Sequence, residues 1–197
     1  MLRQTRTSRL SIFIASLPFM PSTPAPRYTL PAIALHWLLA LGLIGLLAFG
    51  WYMVGLPFSP AKLKYYNWHK WAGVTILLLS VLRLLWRLTH RPPALPTAMA
   101  ATMPYWQYVG YDILFAVPLI GWAYSSAAGF PIVWFGAWQL PDFVAASPEL
   151  AEAIKPWHMI SAYTLAALIA LHIAAALKHQ LINRDGLLRR MLPGKAR

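Results

Sequence analysis

The sequence predicts an all-α membrane protein, a four-transmembrane-helix bundle with both termini cytoplasmic. Three observations carry this prediction. Of the 197 residues, 59% are hydrophobic and only 11% charged, and the mean hydropathy is positive, a make-up unlike that of soluble domains. Four stretches reach the roughly 20 apolar residues that a bilayer-crossing helix needs. Lysine and arginine gather at alternate ends of those stretches, the bias that orients a chain across a membrane.

The stretches are 31–54 (PAIALHWLLALGLIGLLAFGWYMV), 68–88 (WHKWAGVTILLLSVLRLLWRL), 106–128 (WQYVGYDILFAVPLIGWAYSSAA) and 156–179. The connectors between them carry prolines, read here as helix stops. Pro118 falls inside the third stretch, where a packed bundle tolerates a kink. There is no internal repeat, and the connector lengths suit a four-helix bundle. Ten tryptophans and nine tyrosines are enough for aromatic belts at both bilayer surfaces.

Four spans put thirteen basic residues on one side: Arg3, Arg6, Arg9, Arg27, Arg83, Arg87, Arg91, Lys178, Arg184, Arg189, Arg190, Lys195 and Arg197. The other side has only Lys62, Lys64, Lys70 and Lys155, with the acids Asp142, Glu149 and Glu152. The formal charge of +12 is therefore topology signal and not a nucleic-acid footprint. Cysteine is absent, which excludes disulfides, thiolate metal sites, iron–sulfur clusters and covalent haem attachment through C-x-x-C-H. The organisation expected is an N-terminal tail over 1–27, a membrane domain over 28–193 and a C-terminal tail over 194–197. The tail's apolar run is short for a span and only somewhat signal-like; the expectation is either a cytoplasmic tail or a true start at Met20.

Histidine in a bilayer is costly unless partnered, so each intramembrane imidazole needs an account. His158 and His172 are fourteen residues apart, close to four helical turns, so they share one stripe about 21 Å apart along the axis. His36 lies in the first stretch at a depth matching His172, and His69 begins the second stretch at the level of His158. Depth therefore gives two pairs: His36 with His172 inside, His69 with His158 outside. A planar macrocycle with an axial ligand on each face suits such a pair, and imidazole is a common ligand to haem iron. Without C-x-x-C-H, the expectation is two non-covalent b haems. Both axial positions would be filled, which points to electron transfer. Ala72, Gly73, Gly42, Gly45 and Ala174 to Ala176 offer room for a macrocycle. Interhelical hydrogen bonding, a zinc site and a proton relay are the competing readings, with Asp112 the only acidic candidate in a span. Arg83 and Arg87, four apart near the inner end of the second stretch, are candidates to pair with haem propionates; snorkelling to the interface is the alternative. His90 belongs to a loop and is expected to be solvated.

ALHWLL, NWHKWAG followed by SVLRLLWRL and HRPP, AVPLIGW, PWHMIS and LHIAAALKH occur in that order. The series resembles the prokaryotic cytochrome b561 family, small four-helix di-haem proteins of the bacterial inner membrane, over roughly residues 28 to 193. One branch of that family is superoxide oxidase, which passes electrons from periplasmic superoxide to ubiquinone. The resemblance implies axial roles for His36, His69, His158 and His172, and a place for His179 near a quinone on the cytoplasmic side. An imidazole there can hydrogen-bond a quinone and supply protons. On the outer side, Lys62, Lys64 and Lys70 flank His69, and a basic mouth would steer superoxide electrostatically. The competing function is a membrane anchor and electron conduit for a partner such as a periplasmic dehydrogenase or a hydrogenase; a haem-free metal or proton transporter is a third.

Overall fold

A computed structural model describes residues 27–94 and 103–193. Both expected tails, with the Met20 alternative, lie outside those residues apart from Arg27. Four long helices dominate: α1 (Leu30–Val54), α2 (Pro60–Thr89), α3 (Met103–Ala127) and α4 (Pro148–Lys178). Among the described residues, three helices are long and apolar enough to cross a membrane, namely α1, α2 and Pro148–Asn183. In α3 the apolar run is diluted by Tyr111, Asp112, Trp122, Tyr124, Ser125 and Ser126, and Pro118 sits inside it.

Helices α1 and α2 pack together, as do α3 and α4, and α2 meets α3; α1 and α4 touch only sparingly. Few large side chains are enclosed. Ile33, Leu35 and Leu39 of α1, Val74 and Ile76 of α2 and Leu165 of α4 are buried. Ser80 and Ser161 are buried too, and each returns its hydroxyl to its own helix, at Ile76 O (2.7 Å) and His158 O (3.0 Å). That local bond lets a small polar residue sit between helices at no unsatisfied cost. Outward-facing leucines are numerous, with Leu41 68%, Leu171 64% and Leu88 73% exposed, as befits helices whose solvent is lipid.

Two helices begin at a Ser-Pro pair. Ser59 and Ser147 each accept a hydrogen bond from the backbone N–H three residues on, Lys62 and Leu150, and Pro60 and Pro148 occupy the first turn. These prolines start helices where the sequence reading took them as stops, because a first-turn N–H has no helical partner to lose. Helices α2 and α4 consequently extend well beyond the predicted 68–88 and 156–179, and α4 continues through Pro156.

Between α3 and α4 the chain forms a hairpin, β1 (Val133–Trp134) against β2 (Trp138–Gln139), with Val133 opposite Gln139 and Trp134 opposite Trp138. The loop between the strands is Phe135, Gly136 and Ala137; Phe135 and Gly136 have positive φ (50° and 72°), and the Ala137 N–H closes the turn on Trp134 O at 3.1 Å. The hairpin is tied to α2. Trp71 Nε1 donates to Val133 O (2.5 Å), Trp134 Nε1 to Trp71 O (3.3 Å), and Lys70 Nζ to Phe130 O and Pro131 O (3.3 and 3.4 Å). At the opposite, arginine-rich end, a short 3-10 turn (Leu188–Met191) folds back onto α1. Trp37 Nε1 donates to Met191 O at 2.7 Å. Arg190 is buried and donates to Ala94 O at 2.9 Å.

Gly136→Val places a β-branched residue at φ 72° and is expected to destabilise the hairpin by about 1–2 kcal/mol. Limited proteolysis should then cut within 130–141 faster than in the parent; equal protection would contradict the turn assignment.

Candidate functional site

Four imidazoles meet in two pairs. His36 stands six residues inside the start of α1, about 9 Å along its axis, and His172 six residues before the end of α4. Their ring centroids are 6.1 Å apart, with planes at 73°. Near the hairpin end, His69 of α2 faces His158 of α4 with centroids 6.3 Å apart and planes at 86°. Helix α4 supplies one member of each pair, separated along it by about 21 Å. The structure brings together the residues that depth matching pairs.

The two rings of the outer pair sit in tight surroundings. His158 Nδ1 lies 3.1 Å from Val117 O of α3, so a neutral ring donates from Nδ1 and keeps its lone pair on Nε2. His69 Nδ1 is buried without a hydrogen-bond partner among the described residues. Phe49 lies beside His69, centroids 6.5 Å apart. Two glycines clear the space. A Cβ at Gly121 would stand 2.7 Å from His158 Cε1, and one at Gly50 would stand 3.2 Å from His69 Cε1. Neither glycine is singled out in the sequence reading, although Gly121 falls within AVPLIGW, since only the packing of α1 on α2 and of α3 on α4 shows that each opposes a histidine. Of the small residues that were singled out, Gly42 serves helix packing, its Cβ position falling 2.7 Å from Ile76 Cδ1, while Gly45 and Gly73 face open space.

These features fit an iron macrocycle. Metal–imidazole bonds of about 2 Å, with the ring centre roughly 1 Å behind each nitrogen, separate two ring centroids on one metal by about 6 Å. Both pairs stand at that distance. The donors are imidazoles alone; no cluster of three or more His, Cys, Asp or Glu that could hold a bare metal ion occurs among the described residues. The sparse contact between α1 and α4 is where a bulky group between His36 and His172 would be accommodated.

The other predicted residues fall outside these pairs. Arg83 is close enough for its charge to act on His36, and Arg87 lies one turn nearer the end of α2. Lys62 Nζ donates to Val54 O (3.1 Å) and Leu56 O (2.5 Å), capping the end of α1, and lies 6.0 Å from the Tyr66 ring. Lys64 stands 5.0 Å over the Trp68 ring. Lys70 holds the hairpin segment, so each of the three lysines has a local structural partner. His90 is exposed and stacked on Trp86, centroids 3.8 Å apart and planes at 6°.

His179 opens a single π turn, His179–Asn183. Its Nδ1 meets Asp185 Oδ2 at 2.5 Å and Asn183 Nδ2 at 3.1 Å. Asp185 Oδ1 accepts the Leu187 N–H at 3.1 Å. Desolvation raises the Asp185 pKa, but the His179 and Leu187 contacts together outweigh it and hold the carboxyl below its ordinary value of 3.8. A lowered carboxyl pKa contributes stability above 3.8 that is lost as pH falls through the folded value. Asp185 has no counterpart in the sequence reading, although a carboxylate six residues beyond a terminal histidine is a signal that could have been followed.

Residues 27–194 match the sequence profile described as prokaryotic cytochrome b561. The Escherichia coli (strain K12) protein named cytochrome b561 homolog 2 is 34% identical over 173 residues, 84% of this chain and 91% of the relative. The Yersinia pestis protein named "Probable superoxide oxidase CybB" is 30% identical over 178 residues, 86% of this chain and 97% of the relative. Cytochrome b561 homolog 1 of Escherichia coli (strain K12) is 29% identical over 180 residues, 85% of this chain and 97% of the relative.

Gly121→Leu forces the side chain into the His158 ring and is expected to lower b-haem content per chain, read by pyridine haemochrome against protein. Full haem content would mean that His158 can move without consequence. In a separate test, the NMR signature of the His179–Asp185 contact should persist at neutral pH and be lost only on acidification past the ordinary carboxyl value of 3.8; loss near neutral pH would contradict the carboxyl assignment.

Proposed function

The chain belongs to the prokaryotic cytochrome b561 family, electron-transfer membrane proteins that bind b-type haem, and from that premise we propose a superoxide:quinone oxidoreductase of the bacterial inner membrane. In this reading α3 is the fourth span, and both termini are cytoplasmic. His36 and His172 hold an inner b haem, and His69 and His158 an outer one. The observation that carries the reading is the pair of imidazole pairs, each at the separation one iron requires, stationed near opposite ends of α4.

Haem, when bound, supplies reversible one-electron chemistry. The chain's own residues do the rest. His158 is fixed as a ligand by Val117, and Gly121 and Gly50 let the outer rings approach neighbouring backbone. Lys70 and Trp71, next to His69 in the chain, tie the hairpin to α2 beside the outer pair. Two superoxide anions each lose one electron and leave as dioxygen; one quinone takes up two electrons and two protons. His179 is the proton donor in this scheme, held through Nδ1 by Asp185 so that Nε2 is the nitrogen presented to a quinone. The relative named for superoxide oxidase supports the choice of donor. The lysines support it less, because Lys62, Lys64 and Lys70 are engaged with backbone carbonyls or rings.

The exposed hairpin aromatics Phe135 (59%) and Trp138 (66%) favour a second reading, an electron conduit on which a periplasmic partner docks. Mixing the purified chain with superoxide separates the two. Reduction of the chain's haem and then of added ubiquinone, without any partner, is the result expected of the enzyme; an inert chain that responds only to a partner contradicts it. Replacing Lys62, Lys64 and Lys70 together by Gln should slow the superoxide reaction and flatten its salt dependence; an unchanged rate removes steering from the scheme.

A further inference from the structure

The hairpin segment after α3 carries no charge: residues 129–141 (GFPIVWFGAWQLP) contain no aspartate, glutamate, lysine, arginine or histidine. Its aromatic side chains are nevertheless open, with Phe130 63%, Phe135 59% and Trp138 66% exposed. An uncharged, aromatic surface of this kind marks a contact with a membrane or with another protein.

Where the hairpin sits decides what covers those rings. It is fastened to Trp71 of α2, whose Nε1 donates to Val133 O and whose carbonyl accepts from Trp134 Nε1. Phe135 lies 5.6 Å from the Trp71 ring. At about 100° per residue, Trp71 stands about 160° around α2 from His69. Ile76 and Ser80, both buried, fall within about 20° of His69 and mark the face turned into the bundle. Leu78, Leu82 and Leu85, exposed by 50%, 50% and 54%, fall within about 40° of Trp71. The hairpin is therefore seated on the lipid-facing flank of α2, at the outer end of a leucine stripe.

Depth gives the same answer. Trp71 is eighteen residues before Thr89, where α2 ends, about 27 Å along the axis. Arg87 and Arg91 hold that end at or beyond the inner edge of the hydrocarbon, since a guanidinium inside it is costly. The hydrocarbon layer is about 30 Å thick, so Trp71 lies no farther out than its outer edge, and any tilt of α2 brings it deeper. Irregular backbone at that depth has to satisfy its polar groups within the protein. The carbonyls of Phe130, Pro131, Ile132, Val133 and Trp134 each accept a hydrogen bond, from Lys70, Ser125, Trp71 or the segment's own N–H groups.

We propose that the hairpin is an interfacial membrane anchor, lying in the outer leaflet against α2 with Phe135 and Trp138 immersed at the boundary of headgroups and acyl chains. Tryptophan suits that boundary, because it joins a large apolar ring to one N–H donor. The occupant of this surface is lipid and not a periplasmic protein, because both the flank and the depth are those of lipid. The inference rests on α2 crossing the bilayer and is independent of the electron donor and of the quinone.

The absence of cysteine allows a test on the full-length haem protein in vesicles of phosphatidylcholine and phosphatidylglycerol, with a nitroxide on one introduced cysteine at a time. Collisions of each nitroxide with oxygen, which concentrates in lipid, are compared with its collisions with a water-soluble nickel chelate. Phe135→Cys, Trp138→Cys and Ala137→Cys report on the hairpin. Leu82→Cys is the lipid reference, and Glu152→Cys, at an exposed position near the outer start of α4, is the water reference. Ala137→Cys keeps every aromatic ring, so it reports even if the loss of one loosens the hairpin. The oxygen-to-nickel ratio at the hairpin sites should stand severalfold above that at Glu152→Cys, towards that at Leu82→Cys. Hairpin ratios equal to that at Glu152→Cys would place the rings in water, overturn the proposal and leave them to a protein partner. Equal ratios at Leu82→Cys and Glu152→Cys would instead overturn the crossing of α2 on which the proposal rests.

Discussion

An imidazole has two polar nitrogens, and a bilayer offers nothing to satisfy them; that constraint organises this molecule. The fold answers by bringing histidines from different helices face to face. The cost of placing four such rings inside apolar helices is offset only if each finds a partner. One nitrogen of His158 finds a backbone carbonyl on α3, and one nitrogen of His69 is buried with none. Imidazole pairs at metal-bridging distance are the arrangement in which a shared iron answers for the nitrogens the protein leaves unmet. The sparse contact between α1 and α4 and the small enclosed core are what a bundle holding large planar groups would show.

The space around the rings is set by backbone and not by side chains. Gly121 and Gly50 sit where any Cβ would press on an imidazole, so the helices carrying them can approach the histidine-bearing helices closely. Helix α2, at 30 residues, is about 45 Å long, longer than the roughly 30 Å hydrocarbon layer. It must therefore tilt or extend past the hydrocarbon layer, and the hairpin is tied to it through Lys70 and Trp71. The lysines that a charge argument assigns to substrate steering thus also have structural duties, capping α1, covering an aromatic ring and anchoring the hairpin.

Much of this was legible in the sequence because hydrophobic length and charge bias are read directly from composition, and because depth in a regular helix is a matter of counting. The histidine pairing needed nothing more than the rise per residue. The helix starts were misread at Pro60 and Pro148, where a serine cap just before proline reverses its usual meaning. The hairpin was missed because Phe-Gly is a weak turn signal and a bulky residue at positive φ is not one a sequence reading volunteers. Gly50, Gly121 and Asp185 were invisible for a different reason. Their significance lies in what opposes them, and that is a property of packing.

The most direct test is haem stoichiometry in the parent chain and in four single alanine variants, His36, His172, His69 and His158, with reduced spectra recorded for each. Two b haems in the parent, with the same haem lost in His36→Ala and His172→Ala and the other in His69→Ala and His158→Ala, is the result this account predicts. A colourless parent, or a variant that keeps both haems, would contradict it.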